Sequence, residues 1–574
     1  MTEHSLIALE NQSFDELSDA FGWPEMHRLN IAEVVCERFA DGSNRLALIA
    51  ENEAGDCERY SFDDINRLAN RLASAFQLAG IEPGDRVAVI LPQRVETALV
   101  HIAAQKLGAI SLPLSVLFGD DALEYRLADS GSKIVIAAVD KLDLIDELSG
   151  NLPELQAVWA VSESAPVPAT TVDRQDRAAP SETHASSRIE AADFWGVLRA
   201  TDDAQFSCSS SPDDPAFLLY TSGTTGPPKG ALIPQRALIG NLTGFECSQN
   251  GFPQEQDVMF TPADWAWTGG LLDGLLPAWY YGAPVVALDY KKFRADIILS
   301  LMSRHKVTCA FIPPTALKML RSEPALLERY PLALRAVMSA GEAVGEELYR
   351  WGQKALGLDI NEMCGQTEHN YLIGNCSALM PVRPGSMGKA YPGHKVAIMG
   401  PDGTLLPDGQ EGEIVAHKDD PVHFLGYWKN PEATASKYTG DWFHLGDIGY
   451  RDAEGYLWFV GRADDVISSA GYRIGPGEIE DCVLKHPAVQ QVAAIGVPDP
   501  DGIRGDVVKL CIVLNPEIEP SSTLEKEIQT QVRTQLAAYE YPRQIEFMEA
   551  LPMTTTGKIK RMELRRMHIE RLSS

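Results

Sequence analysis

Tyr220-Thr221-Ser222-Gly223-Thr224-Thr225-Gly226-Pro227-Pro228-Lys229-Gly230 is the stretch of this chain best equipped for chemistry. It strings hydroxyl side chains, glycines and one lysine behind an apolar run, Ala216-Phe217-Leu218-Leu219, that reads as a buried strand. Glycine lets backbone N–H groups turn inward around an anion, and the hydroxyls and ammonium add donors. The string therefore reads as a phosphate cradle. It is not the NTPase loop in which Gly-Lys-Ser/Thr adjoins a helix start, because Pro227-Pro228 separate the glycine from the lysine. A lone glycine-rich loop is as compatible with a polar turn as with a phosphate site, but eleven residues of this kind are far more specific.

Three further strings could act with it. Gly365-Gln366-Thr367-Glu368 sets a glutamate beside a threonine, a hard oxygen donor suited to hydrated Mg²⁺ next to a phosphate hydrogen-bond donor. Gly446-Asp447-Ile448-Gly449 and, one hairpin later, Gly461-Arg462 offer an aspartate that can accept both hydroxyls of a ribose and an arginine that can fork onto it or a phosphate. Met553-Thr554-Thr555-Thr556-Gly557-Lys558-Ile559-Lys560-Arg561 is a basic run whose lysines, taken alone, are ordinary solvated side chains. Ser339-Ala340-Gly341-Glu342 follows another apolar strand and is, on its own, an ordinary turn.

In this order the strings resemble the signatures of the adenylate-forming (ANL) superfamily, which includes the acyl-CoA synthetases, adenylation domains and luciferases. The likeness is closest to the AMP-forming short- and medium-chain acyl-CoA synthetases and covers most of the chain. It implies that Thr221, Ser222, Gly223, Thr224, Thr225, Gly226 and Lys229 hold the β- and γ-phosphates of ATP, and that Gly341, Glu342 and Gln366 border the nucleotide. By the same resemblance Thr367 contacts the α-phosphate, Glu368 binds Mg²⁺, Asp447 and Arg462 hold the nucleotide, and Lys558 is the adenylation lysine. Lys558, Glu368 and Thr225 form the implied catalytic set. The chemistry suits them: a carboxylate is already a nucleophile at neutral pH, so the first half-reaction needs no general base. It needs charge stabilisation at the α-phosphorus and alignment of two anions.

A second half-reaction, in which the thiol of CoA displaces AMP, needs other groups at the same intermediate. The resemblance assigns it to Ala470, Gly471, Tyr472 and Arg473, brought in by rotation about Asp464. Arg504, Arg533 and Arg543 match basic positions for the CoA phosphates, although each alone is an ordinary surface residue. Trp267, Thr268 and Gly269 resemble an acyl-pocket wall with an open floor, and Gly365 stands where acetate-specific relatives carry a closing tryptophan. The expected acid is larger than propionate: medium-chain, branched or aryl. Cys364 and His369-Asn370 depart from the family pattern. Two other readings stand beside this one: an enzyme loading an acyl group onto a carrier protein, and a silent acyl-adenylate or nucleotide binder.

The elements that must position these residues alternate. Strands are expected at Asp85–Pro92, Lys133–Val139, Pro284–Leu288, Val307–Ile312 and Leu334–Ser339, with a helix over Arg94–Leu107 after the first. Short strands at Gly412–His417, Tyr456–Val460 and Val492–Val497 precede a helix over Thr523–Leu536 and a strand at Gln544–Glu549. The expected fold is α/β: a large N-terminal AMP-binding domain of layered sheets with a β-rich subdomain (1–463), then a small mobile α+β domain (464–574). Residues 162–215, rich in Pro, Ala, Ser, Thr and acids, read as an irregular excursion.

Composition narrows the class. A chain of 574 residues needs more than one core. Its net charge of −30 repels nucleic acid and leaves ATP and CoA to local cations. Nine scattered cysteines, never spaced Cys-x-x-Cys, point to a reducing, cytoplasmic setting and to no zinc site. No secretory leader or bilayer-length apolar run is visible. The partners expected are a carboxylic acid, ATP and CoA, and a homo-oligomer is compatible with the reading.

Overall fold

A computed structural model describes residues 5–7, 12–162, 191–206, 210–221, 228–463, 465, 467–469, 472–499, 506–536, 540–554 and 558–573. The chain forms two compact units, one of residues 1–384, 388–394 and 418–436, the other of 385–387, 395–417 and 437–574.

The first unit is built on two sheets. In chain order its strands are β1 (Leu46–Asn52), β2 (Cys57–Ser61), β3 (Arg86–Ile90), β4 (Ile110–Pro113), β5 (Ile134–Ala138), β6 (Ala157–Val161), β7 (Ala191–Asp193), β8 (Pro215–Thr221), β9 (Lys229–Pro234), β10 (Met259–Phe260), β11 (Val285–Asp289), β12 (Cys309–Phe311), β13 (Ala336–Ala340), β14 (Ile360–Gln366) and β15 (His369–Gly374). One sheet runs β9-β8-β4-β3-β5-β6-β7, with the two-residue strand Gly426–Tyr427 on the free edge of β9. The other runs β15-β14-β13-β12-β10-β11-β1-β2. Their interiors are parallel, and antiparallel hairpins close the edges at β8/β9, β14/β15 and β1/β2. Parallel strands need crossovers and burial on both faces, which is why β5 reads as an unbroken Ile, Val and Ala run and β3 and β13 are apolar except at Arg86 and Ser339. The helix Val95–Leu107 is buried along its whole length and stops at left-handed Gly108, φ +74°.

The expected strands of this unit are present, each within two residues of the expected bounds. Asp85–Pro92 contracts to β3, and Val307–Ile312 to β12 before Pro313. The excursion over 162–215 needs a larger correction. Ala191–Asp193 is an edge strand on β6, and Phe194–Ala200 is a helix capped by Asp193 that buries Phe194, Trp195 and Leu198. That apolar triplet supplies the burial the surrounding composition lacks.

The second unit begins as an antiparallel meander of Val396–Met399, Gly412–His417, Trp442–Arg451 and Leu457–Arg462. It continues through the hairpin Ile467–Ser469/Tyr472–Ile474 to a three-stranded sheet, in which Asp506–Leu514 lies between Val489–Pro498 and Gln544–Phe547. Helices Pro476–Leu484 and Ser522–Gln535 bury Ile479, Val483, Ile528 and Val532 with that sheet, and the helix Arg561–Ser573 adds Leu564 beside Val497 and Val507. Layered α/β sheets, a β-rich part and an α+β part are thus all present. Residues 395–417 and 437–463 group with 464–574 because the meander pairs strands on either side of 418–436. Among the described residues no helix is long and apolar enough to cross a membrane, and eight cysteines are free thiols.

Candidate functional site

The glycine-rich string starts at the end of β8 and finishes at the start of β9, two strands paired antiparallel. Thr221 pairs with Lys229 across its base, and the Thr221 hydroxyl lies 3.4 Å from the Lys229 carbonyl. Ser222, Gly223, Thr224, Thr225 and Gly226 lie outside the described residues. The stem is anchored by Tyr125, whose hydroxyl donates to the Pro228 carbonyl at 3.0 Å, and by the Trp428 amide on the Gly230 carbonyl at 2.7 Å. Gly230 is required there, since a Cβ would sit 2.8 Å from Leu218 and 3.3 Å from Trp428.

Thr367 and Glu368 form the turn of the neighbouring hairpin, between paired Gln366 and His369. Glu368 is only 6% exposed, and its Oε1 accepts a 2.6 Å hydrogen bond from the Tyr427 hydroxyl. The Lys229 ammonium stands 5.2 Å from the centre of the same tyrosine ring. One aromatic ring thus joins Lys229, at the start of β9, to the glutamate. Nothing in the sequence singled out Tyr427, because its contact depends on a two-residue strand pairing with β9 from almost 200 positions away.

Gly365 occupies a β-bulge. The ladder passes from Cys364–Ile373 to Gln366–His369, so Asn370, Tyr371 and Leu372 bow out opposite a single glycine. Tyr371 takes a left-handed φ of +49° there and is fully buried, with its ring in the notch left by Gly244. A Cβ on Gly365 would lie 2.8 Å from the Tyr371 nitrogen and 3.2 Å from Asn370 backbone atoms. Behind the turn, His369 and His423 face each other through Nδ1 atoms 2.8 Å apart, and His394 Nδ1 lies 2.7 Å from Asp420. Burial pushes His369 down to about 4; burial and the neighbouring His369 push His423 to about 2. His369 is accordingly a core residue and a neutral one.

Gly341 follows β13 with φ +97° and open space where a Cβ would be. The Glu342 carboxylate accepts from the Thr315 hydroxyl at 3.2 Å. Trp267 packs edge-on against Phe118, with ring centres 5.7 Å apart, and Thr268 and Gly269 start the following helical turn. The open floor expected at Gly269 is filled: a Cβ there would meet the Phe311 ring at 2.6 Å.

In the second unit Asp447 and Arg462 are cross-strand partners, joined by a 2.8 Å ion pair. Left-handed Gly446, φ +78°, makes room for this arginine, since a Cβ would approach it to 3.1 Å. Burial raises the Asp447 carboxyl above the usual range; the Arg462 and Lys558 charges oppose that without cancelling it. Lys558 is therefore close enough for Asp447 to feel its charge. It sits exposed on a small turn closed by the Met553–Ile559 bridge and by its own amide, which donates to the Thr554 hydroxyl at 3.0 Å. Arg561 beside it is committed to Glu480, at 2.7 and 3.0 Å. Arg533 and Arg543 are exposed, and Tyr472 and Arg473 lie on the strand Tyr472–Ile474. Asp464, Ala470, Gly471 and Arg504 lie outside the described residues.

Elsewhere in the first unit, Glu51, Cys57 and His305 bring one ligand atom each within 4.8 Å of one another. Glu51 is already engaged there by Arg304 and by His305 at 2.7 Å, which accounts for the cluster as an ion-pair network.

An AMP-binding enzyme family model matches residues 36–428, and a model of the AMP-binding enzyme C-terminal domain matches 478–558. The chain is 35% identical over 525 residues to the mitochondrial acyl-coenzyme A synthetase ACSM3 of Rattus norvegicus, covering 88% of this chain and 84% of that protein. It is 34% identical over 570 residues to the acetyl-coenzyme A synthetase of Bacillus subtilis (strain 168), covering 96% and 95%. The solved structure of the anthranilate CoA ligase AuaEII in complex with anthranoyl-AMP matches with a TM-score of 0.79 at 29% identity, over 94% of this chain and 97% of that one.

Proposed function

The chain belongs to the AMP-binding enzyme family as an AMP-forming acyl-CoA synthetase, and from that premise we propose that it joins a carboxylic acid larger than propionate to CoA through an acyl-adenylate. The observation that carries the reading is the convergence on Tyr427 of Lys229, at the base of the phosphate hairpin, and Glu368. A phosphate lysine and a buried carboxylate are the two charges that a metal–triphosphate needs.

In the first step a carboxylate oxygen of the acid bonds to the α-phosphorus of ATP. The bond from the α-phosphorus to the bridging oxygen breaks, and pyrophosphate leaves. Thr221, Ser222, Gly223, Thr224, Thr225, Gly226 and Lys229 hold the departing β- and γ-phosphates. Gly341, Glu342 and Gln366 border the nucleotide, Thr367 donates to the α-phosphate, and Asp447, ion-paired with Arg462, accepts from the ribose hydroxyls. Glu368 fits Mg²⁺: it is a buried hard-oxygen donor with one oxygen held by a phenol. When bound, the ion supplies neutralisation of phosphate charge. Lys558 contributes a cation where charge grows at the α-phosphorus, a term worth about 10²–10³ in rate for one such donor.

In the second step the CoA sulfur bonds to the acyl carbon, the carbon–oxygen bond to AMP breaks, and the thiol proton goes to solvent. We assign this step to a swing of residues 464–574 about Asp464 relative to 1–463. It exchanges Lys558 for Ala470, Gly471, Tyr472 and Arg473, with Arg504, Arg533 and Arg543 as cations for the CoA phosphates. The acid lies by Trp267, Thr268 and Gly365. The bulge at Gly365 carries no closing side chain, and Phe311 over Gly269 makes the wall aromatic, which favours medium-chain, branched or aryl acids. The free thiols suit a reducing cytoplasm.

The test is AMP formation from ATP across acetate, butyrate, octanoate and benzoate, with and without CoA. The reading expects CoA-dependent AMP and an acid above propionate as the best substrate. Highest kcat/KM with acetate would remove the acid assignment. A requirement for an acyl carrier protein in place of CoA would move the chain to the carrier-loading reading.

A further inference from the structure

Tyr427 is tied into place independently of any ligand. Its strand pairs with β9, so Tyr427 lies opposite Ala231, two residues past Lys229. Its amide donates to the Thr434 hydroxyl at 2.8 Å, and Phe424 packs edge-on against its ring with centres 5.1 Å apart. The Phe424 amide donates in turn to the Glu368 carbonyl at 3.0 Å, so backbone and side chain of Glu368 are both held from this one segment. The tyrosine is 7% exposed.

Two consequences follow for charge. The phenol takes one oxygen of the Glu368 carboxylate, while among the described residues no group donates to the other, Oε2. The ring also stands beside the Lys229 ammonium, and Lys229 makes no salt bridge with any described carboxylate. A lysine paired directly with a buried glutamate would withdraw each from its ligand. The ring offers the cation its face while its hydroxyl holds the carboxylate.

We propose that Tyr427 is a positioning residue of the nucleotide–metal site: it orients Glu368 so that a single carboxylate oxygen faces a divalent cation, and it holds Lys229 off that carboxylate. The proposal rests on the reading of Glu368 as the Mg²⁺ ligand. Outer partners that orient a metal-binding carboxylate change metal affinity or activity by about 10–100-fold when removed.

The experiment compares wild type, Tyr427→Phe and Glu368→Gln. Mn²⁺ binding is read from the electron paramagnetic resonance of the free ion, in the presence of an ATP analogue with a methylene bridge between the α- and β-phosphorus. Melting temperature and the Mg²⁺ dependence of acid-dependent AMP formation are measured on the same samples. Phenylalanine keeps the ring and removes only the hydroxyl. The expected result is Mn²⁺ affinity at least about tenfold weaker in Y427F, an unchanged melting temperature and kcat restored by excess Mg²⁺. Y427F binding Mn²⁺ within twofold of wild type while E368Q is weakened overturns the proposal and leaves the function reading standing. E368Q binding Mn²⁺ as wild type does overturns the metal reading and this proposal together. A lowered melting temperature with no rescue by Mg²⁺ overturns positioning in favour of a purely structural role.

Discussion

Alanine at Gly365 separates two explanations of that glycine. If Gly365 matters only because no bulky side chain closes the acyl pocket, one methyl group is too small to act as a plug. If it matters because of the bulge, the methyl alone is enough to do damage. Its carbon would sit 2.8 Å from the Tyr371 nitrogen and 3.2 Å from two Asn370 backbone atoms. These neighbours cannot yield easily: Tyr371 is fully buried against Gly244, and the Asn370 side chain donates to the buried Asp273. Overpacking of this kind costs about 1–3 kcal/mol. For a unit of roughly 400 residues that corresponds to a melting-point loss of about 1–4 °C. Glu368 is three residues along the same hairpin, and about 1 kcal/mol of displacement reaching it raises KM for ATP roughly fivefold. The assay is a thermal melt of Gly365→Ala, with kcat/KM for octanoate and for acetate. The structure predicts a lower melting point, a raised KM for ATP and an unchanged octanoate-to-acetate ratio. An unchanged melting point with a tenfold or larger change in that ratio would refute the bulge argument.

Other perturbations follow from particular contacts. If Asp447 holds the ribose as proposed, Asp447→Asn keeps the side chain's shape but turns two charge-assisted hydrogen bonds into neutral ones, a loss of about 2–3 kcal/mol. KM for ATP should rise roughly 30- to 150-fold with kcat less affected, and a rise under threefold would place the ribose elsewhere. Glu246 is buried among Ser5, the Leu6 and Ile7 amides and Tyr281, and burial outweighs those hydrogen bonds to raise its carboxyl to about 7. A folded-state value above the unfolded one gives a contribution that is full below about 4.5 and lost as pH rises through about 7. Wild type should therefore lose about 2–3 kcal/mol, or roughly 3 °C, between pH 5 and 8 that Glu246→Gln does not lose. Parallel pH profiles of the two melts would contradict it.

The elements legible in the sequence are those set by local pattern. The β3 and β13 runs, the buried helix Val95–Leu107 and the Asp447/Arg462 hairpin each depend on residues within one segment, where apolar spacing and turn glycines carry the signal. What escaped notice depends on pairing between distant segments. The pairing of Gly426–Tyr427 with β9 leaves no periodicity to read, yet it delivers Tyr427 to Lys229 and Glu368. The bulge opposite Gly365 looks like an ordinary strand sequence, because three residues facing one is a property of register. Phe194-Trp195 sit at the end of a polar, proline-rich stretch whose average hides them. Small residues were the least reliable guide. Gly269 read as open space, and in the fold a neighbouring aromatic ring fills that space.

The central claim is that an acid attacks the α-phosphorus of ATP with Lys558 stabilising the developing charge. Acid-dependent exchange of labelled pyrophosphate into ATP, run without CoA, measures that step alone. Wild type should exchange label only when a competent acid is present, and Lys558→Ala should lower the rate by about 10²–10³. Exchange that is independent of acid, or a Lys558→Ala rate equal to wild type, would contradict the account.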